Sequence, residues 1–165
     1  MAIDRIPLPD SVPGVLFATG FTDVGREPEA GMASVEADLL VCLLPDSDIN
    51  LRFPSFKNWL NPAAAAGRAL RFEIDDGNVP TVAQMIEHVE ILATRLQQGD
   101  RLIVHCAAGW GRTSLVCAPI MLKLGIASLS TALVTIRAAR PGAGPENPTQ
   151  REHLARLAAH YGAAD

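Results

Sequence analysis

A chain of 165 residues with a formal charge of −4, 48% apolar and 5% aromatic, has the size and composition of one soluble domain with its own hydrophobic core. The mild acidity gives no reason to expect nucleic acid or an anionic membrane surface as a partner, and no apolar run is long enough to span a bilayer. Three cysteines, at positions 42, 106 and 117, form an odd, widely spaced set without a CxxC pair, which speaks against a disulfide framework or a zinc site and for a reducing, cytoplasmic compartment.

Residues 1–13 hold three prolines and no clean period, so they read as a strap over the domain. Met1 to Pro7 lacks the basic and apolar regions of a secretory signal. Val15 to Ala18 is a short apolar run closed by Gly20, an edge strand. A short helix follows over Pro28 to Glu36. Asp38 to Leu44 is almost continuously apolar, as a strand buried on both faces would be. Pro45-Asp46-Ser47-Asp48 breaks it, and Phe53 to Leu60 reads as a helix, Ala69 to Ile74 as a third strand.

From Val82 onward, Met85, Ile86, Val89, Leu92 and Leu96 recur at helical spacing, with Thr81 as N-cap and Gly99 as the stop. Arg101 to His105 is a fourth strand, and helices follow over Thr113 to Leu124, Ser128 to Ala139 and Thr149 to His160. Strands alternating with helices predict an α/β fold, a mostly parallel sheet of four to five strands flanked by helices. The whole chain, 1–165, reads as one domain. His88, His153 and His160 lie on predicted helices without ligand spacing and read as surface residues.

The chemistry concentrates in His105-Cys106-Ala107-Ala108-Gly109-Trp110-Gly111-Arg112-Thr113, which joins a predicted buried strand to a predicted helix. The glycines let the backbone N–H groups of residues 107–112 converge on one point, where the helix dipole adds positive potential. Arg112 supplies a planar fork for two phosphate oxygens. In such a field a thiol, ordinarily near pKa 8.5, drops to roughly 3.5–7.5, so Cys106 is expected as a thiolate. Thr113 is placed to hydrogen-bond that thiolate, and His105 to support the loop through its ring rather than to act as a base. Trp110 is open between a pocket wall that stacks on an aromatic ester and a packing residue beneath a neighbouring helix.

His-Cys-x5-Arg-Thr resembles the active-site motif of the cysteine-dependent protein tyrosine and dual-specificity phosphatases. Ile74-Asp75-Asp76-Gly77-Asn78-Val79-Pro80 is similar to the general-acid loop of their compact members, which places Asp76 as the acid, thirty residues before Cys106, with Asp75 the fallback. Arg140-Pro141-Gly142 with Pro148-Thr149-Gln150 resembles the stretch before their last helix. There Gln150 would position the hydrolytic water, and Arg140 would brace the sheet or the phosphate loop. The likeness covers roughly residues 38–160 and is strongest to the small group that includes the kinase-associated phosphatase.

It implies a phosphomonoesterase working through a phosphocysteine, with no metal or cofactor, acting on a phosphorylated protein or small phosphoester. The neutral loop positions Ala107, Ala108, Trp110 and Gly111 turn the reading away from phosphoinositides, and the low basicity turns it away from an RNA 5′-triphosphate. A phosphoprotein-binding pseudophosphatase is the alternative from outside catalysis. Cys42 is open between core filler and a redox partner of Cys106.

Overall fold

In the computed structural model the described residues are 2–163. Met1, the first residue of the expected strap, lies outside them, as do Ala164 and Asp165 at the end of the expected domain. Among the described residues five strands build one sheet: β1 (Asp4–Ile6), β2 (Val15–Thr19), β3 (Leu39–Cys42), β4 (Ala69–Arg71) and β5 (Arg101–His105), in the spatial order β1-β2-β5-β3-β4. All pair in parallel except β1 with β2. The sheet is the mostly parallel one that the alternation of elements predicts.

Strand β5 is central: Ile103 stands opposite Phe17 on one side and Leu40 on the other. A strand with parallel neighbours on both sides has both faces covered by crossover elements, so its residues are apolar without alternation. Leu102, Ile103 and Val104 are accordingly fully buried. The strap is part of this sheet. Arg5 pairs with Phe17 across β1 and β2, so β2 is interior rather than the expected edge. Three residues ahead of Pro7 are too few to show a period, yet Ile6 is buried in the core.

The helices are α1 (Phe21–Val24), α2 (Pro28–Ser34), α3 (Asp46–Arg52), α4 (Phe56–Ala65), α5 (Val82–Gln97), α6 (Gly111–Lys123), α7 (Leu129–Ala139) and α8 (Pro148–His160). Helix α5 follows its sequence signals closely. Thr81 Oγ1 accepts from the Gln84 amide while Gln84 Oε1 accepts from the Thr81 amide, a reciprocal cap. Met85, Val89, Leu92, Ala93 and Leu96 form its buried stripe, and the larger of them stabilise the fold by about 1.5–3 kcal/mol each. Gly99, at φ 98°, ends it.

Helix α6 is different. Every residue from Gly111 to Leu122 is buried, including Pro119, and it packs against α5, α7 and α8. A helix apolar on all sides sits in the middle of a domain, which here gives the preceding loop an immobile base.

Three sequence expectations need correction. The break at 45–48 is the start of α3, with Asp46 and Asp48 in its first turn, where carboxylates favour a helix N-terminus. Helix α4 starts later than expected and runs through Pro62 to Ala65, because Phe56, Leu60 and Ala63 anchor it in the core on both sides of the proline. His153 is buried rather than on the surface: it lies 4% exposed, on the buried side of α8 with Gln150, Leu154 and Leu157. Among the described residues no helix is long and apolar enough to cross a membrane.

Candidate active site

The chain leaves β5 at His105, turns through residues 106–110 and enters α6 at Gly111. This is the carboxyl end of the central parallel strand, where an open α/β sheet forms its crevice. What shapes the turn is the fate of its carbonyls. The Cys106 oxygen accepts from His105 Nδ1 at 3.2 Å, and the Ala107 oxygen from the Phe21 amide at 2.9 Å. Arg140 donates from Nη2 to the Ala108 oxygen at 2.8 Å and from Nε to the Gly109 oxygen at 2.9 Å. The Trp110 oxygen accepts from the Ser114 amide at 3.1 Å, and the Gly111 oxygen from Ser114 Oγ at 2.7 Å.

Six consecutive carbonyls are therefore held from outside the loop. The peptides are trans, and a trans peptide points its N–H opposite to its C=O. The amides of residues 107–112 consequently turn toward the concave side, a concentration of donors suited to an anion.

Gly109 is required on two counts. It has φ 77°, and a β-carbon there would stand 2.4 Å from the Thr19 oxygen and 2.8 Å from Arg140 Nε. At Gly111 a β-carbon would meet the Glu146 carboxylate at 2.0 Å, so the start of α6 and the loop before α8 are in close contact. Trp110 is 43% exposed and packs over Gly142. It lies against the loop after α7 rather than beneath a helix.

Cys106 Sγ lies at the base of the loop, 3% exposed, and accepts from the Gly109 amide and from Thr113 Oγ1, each at 3.2 Å. The sulfur is the acceptor in both contacts, the part a thiolate plays. His105 is fully buried and stacks on Phe21. Burial pulls its pKa down to about 4, against the opposing pull of its bond to Cys106. A neutral ring donating from Nδ1 leaves Nε2 buried without a partner. Its Nδ1 holds the Cys106 carbonyl at the entry to the loop.

Arg112 is 2% exposed. Its Nη1 donates to Asp48 Oδ2 at 2.8 Å and to the Ile74 oxygen at 2.9 Å, and its Nη2 lies 3.4 Å from Asp76 Oδ1. Arg112, Asp48 and Asp76 wall a cleft of about 160 Å³ together with Phe21, Leu44, Leu51, Arg52 and Ala107. Asp76 projects into it with a side chain 77% exposed. Asp75 lines a separate cleft with Arg71 and Glu73, so of the two neighbouring aspartates only Asp76 reaches the cysteine loop.

Residues 49–126 match the family model described as a polymorphic toxin system DSP-PTPase phosphatase. Human cyclin-dependent kinase inhibitor 3 is 32% identical over 97 residues, 56% of this chain and 46% of that relative. Over these stretches the chain is similar to dual-specificity phosphatases. It spans about half the length of the curated relative it matches. The fold agrees: kinase-associated phosphatase, crystallised with serine in place of its catalytic-site cysteine, gives a TM-score of 0.76 at 21% identity, covering 100% of this chain and 98% of that one. Tk-PTP in its active form gives 0.67 at 25% identity, covering 91% and 97%.

The last expected site residue, Gln150, is fully buried at the start of α8. Its Oε1 accepts from the Glu146 amide at 2.8 Å, and its Nε2 has no hydrogen-bond partner among the described residues. Glu146, which Gln150 holds, lies against Gly111 at the start of α6. Next to it Asn147 caps α8 and donates from Nδ2 to the Gly77 oxygen at 2.8 Å, tying the last helix to the acid segment. Asp48 and Asn147 are the residues sequence reasoning missed. Asn147 stood in the loop before a predicted helix, a standard capping signal, whereas Asp48 had no local signal of contact with Arg112.

Proposed function

We propose that this protein is a phosphomonoesterase of the protein-tyrosine or dual-specificity type, cleaving its substrate through a phosphocysteine. The observation that carries the reading is the loop of outward-held carbonyls, whose inward amides surround an acceptor sulfur, with a buried guanidinium and an exposed carboxyl across the same cleft. Cys106 Sγ attacks phosphorus in line and the P–O ester bond breaks, while Asp76 gives its proton to the departing oxygen. The amides of Ala107, Ala108, Gly109, Trp110 and Gly111, with Arg112, stabilise charge on the equatorial oxygens. Thr113 holds the sulfur.

Water, oriented by Gln150, then attacks phosphorus. The P–S bond breaks, phosphate leaves, and Asp76 takes the proton from the water. The walls beside Arg112 include Phe21, Leu44 and Leu51, apolar surfaces that suit the ring of a phosphotyrosine better than a polyanionic headgroup. The three cysteines are free, in keeping with a reducing cytoplasmic setting.

The test is phosphate release from phosphotyrosine, phosphoserine/threonine, phosphoinositide and RNA 5′-triphosphate substrates. Cys106→Ser should lower turnover by about 10⁴–10⁶-fold, the scale on which nucleophile removal acts in other enzymes, while orthophosphate still binds. Wild-type turnover in that variant would sink the mechanism. Phosphopeptide binding without release by the wild type would make the protein a binding module.

A further inference from the structure

The phosphate-binding arginine is held in place by a residue outside the cysteine loop and the acid loop. Arg112 has five N–H donors in a rigid fork. Among the described residues its two hydrogen bonds are both made by Nη1, one to Asp48 Oδ2 at 2.8 Å and one to the Ile74 oxygen at 2.9 Å. That fixes the far end of the fork and leaves the edge formed by Nε and Nη2 as the pair of parallel donors for a phosphate. The Asp48 carboxylate is 29% exposed and the Arg112 side chain 2%, so this is a pair at the inner wall of the cleft. Helix α3, which carries Asp48, also brings Leu51 and Arg52 to the same cleft.

We infer that Asp48 is a positioning residue for the reaction: it holds the Arg112 guanidinium in its phosphate-ready orientation and seats it against the Ile74 carbonyl at the root of the acid loop. The inference rests on the phosphatase reading for its kinetic part only, since the positioning is read independently from phosphate binding. Asp48 touches no reacting atom. Without it, Nη1 keeps the Ile74 oxygen alone, and the fork is free to swing toward Asp76, whose carboxylate already lies 3.4 Å from Nη2. The cradle would then lose its cation to a carboxylate that must be free to transfer a proton.

The experiment measures orthophosphate binding by calorimetry, and kcat and KM with para-nitrophenyl phosphate, for wild type, Asp48→Asn, Asp48→Ala, Arg112→Lys and the Asp48→Ala/Arg112→Lys double variant. Thermal melting serves as the folding control. Asp48→Ala should weaken orthophosphate binding and lower kcat/KM by about 10- to 100-fold, the scale of a hydrogen bond to a charged group. Asp48→Asn, which keeps an acceptor oxygen for Nη1, should recover part of both. The double variant should be no worse than Arg112→Lys alone, because the two residues act as one unit.

Orthophosphate affinity within twofold of wild type in both Asp48 variants would overturn the inference, and so would additive losses in the double variant. If Asp48→Ala fails to fold, the near-isosteric Asp48→Asn and its cycle with Arg112→Lys decide the matter. If the wild type binds orthophosphate but releases none from any substrate, the proposed activity fails, and the binding arm still decides the role of Asp48.

Discussion

The cysteine loop and the acid segment face each other across one cleft, and they are held by opposite means. Each carbonyl from Cys106 to Gly111 has a donor supplied from outside the concave face, by His105, Phe21, Arg140 or Ser114. The segment 74–80 has fewer ties: the Ile74 amide to the Leu43 oxygen at 3.0 Å, the Ile74 oxygen to Arg112, the Gly77 oxygen to Asn147, and a turn from the Asn78 amide to the Asp75 oxygen at 3.0 Å. The difference follows from what each part has to do. Charge stabilisation by amides is effective only when the dipoles are oriented beforehand, so the cradle is fixed. In the proposed reaction a proton donor has to meet leaving groups of various shapes, and Asp76 stands on an exposed turn with its carboxylate 3.4 Å from the Arg112 guanidinium.

That contrast breaks most visibly at Asp76. Asp76→Asn removes the proton but leaves the cradle untouched, so kcat should fall by about 10²–10⁴-fold, with the larger loss for poorly leaving alkyl esters. Rates on a series of aryl and alkyl phosphates check this. An equal loss across the series would mean that Asp76 acts on binding rather than on the leaving oxygen.

Breaking the other side means Arg140. Its guanidinium holds the Ala108 and Gly109 oxygens while donating to the Asp4 carboxylate at 2.6 Å and the Ala2 oxygen at 3.1 Å. One side chain thus binds the cradle to the first strand. In Arg140→Ala the two peptides lose their anchor and their amides can turn away. Misplacement on that scale costs about 10²-fold in kcat/KM. Arg140→Lys should restore little, because an ammonium cannot address both oxygens and Asp4 in one plane. Orthophosphate binding should fall in parallel, which is where Arg140 variants part from Asp76→Asn.

How far the sequence could reveal all this depended on whether the cause was local. The strand from Arg101 to His105, the glycines at 109 and 111 and the capped helix α5 are dictated by neighbours within a few residues, and they were legible. So was the meeting of Asp76 with Arg112, though only through a family pattern. Asp48 was not, because its partner lies 64 positions away and its own surroundings read as a polar break. Strand β1 was hidden for a similar reason: three residues become a strand only because β2 offers an open edge. His153 looked like a surface residue because it is polar and α8 has a weakly apolar face, yet tertiary packing places it on the buried side of α8 with Gln150, Leu154 and Leu157.

The finest test of the contrast is Asn147, which belongs to both tertiary frame and acid segment. Its Oδ1 accepts from the Gln150 amide at 2.9 Å as the N-cap of α8, and its Nδ2 reaches the Gly77 oxygen. Asn147→Ala removes both, and loss of an N-cap costs about 0.5–2 kcal/mol of stability. Asn147→Asp keeps the cap but loses the donor to Gly77, so it isolates the tie to the acid segment. If that tie sets the position of Asp76, Asn147→Asp should melt like wild type and lose about threefold to tenfold in kcat, as one net hydrogen bond would give. Orthophosphate affinity should stay unchanged, because the cradle has its own supports. A fall in orthophosphate affinity without a change in kcat would mean that the last helix governs the cradle instead, and the two loops would not be held independently.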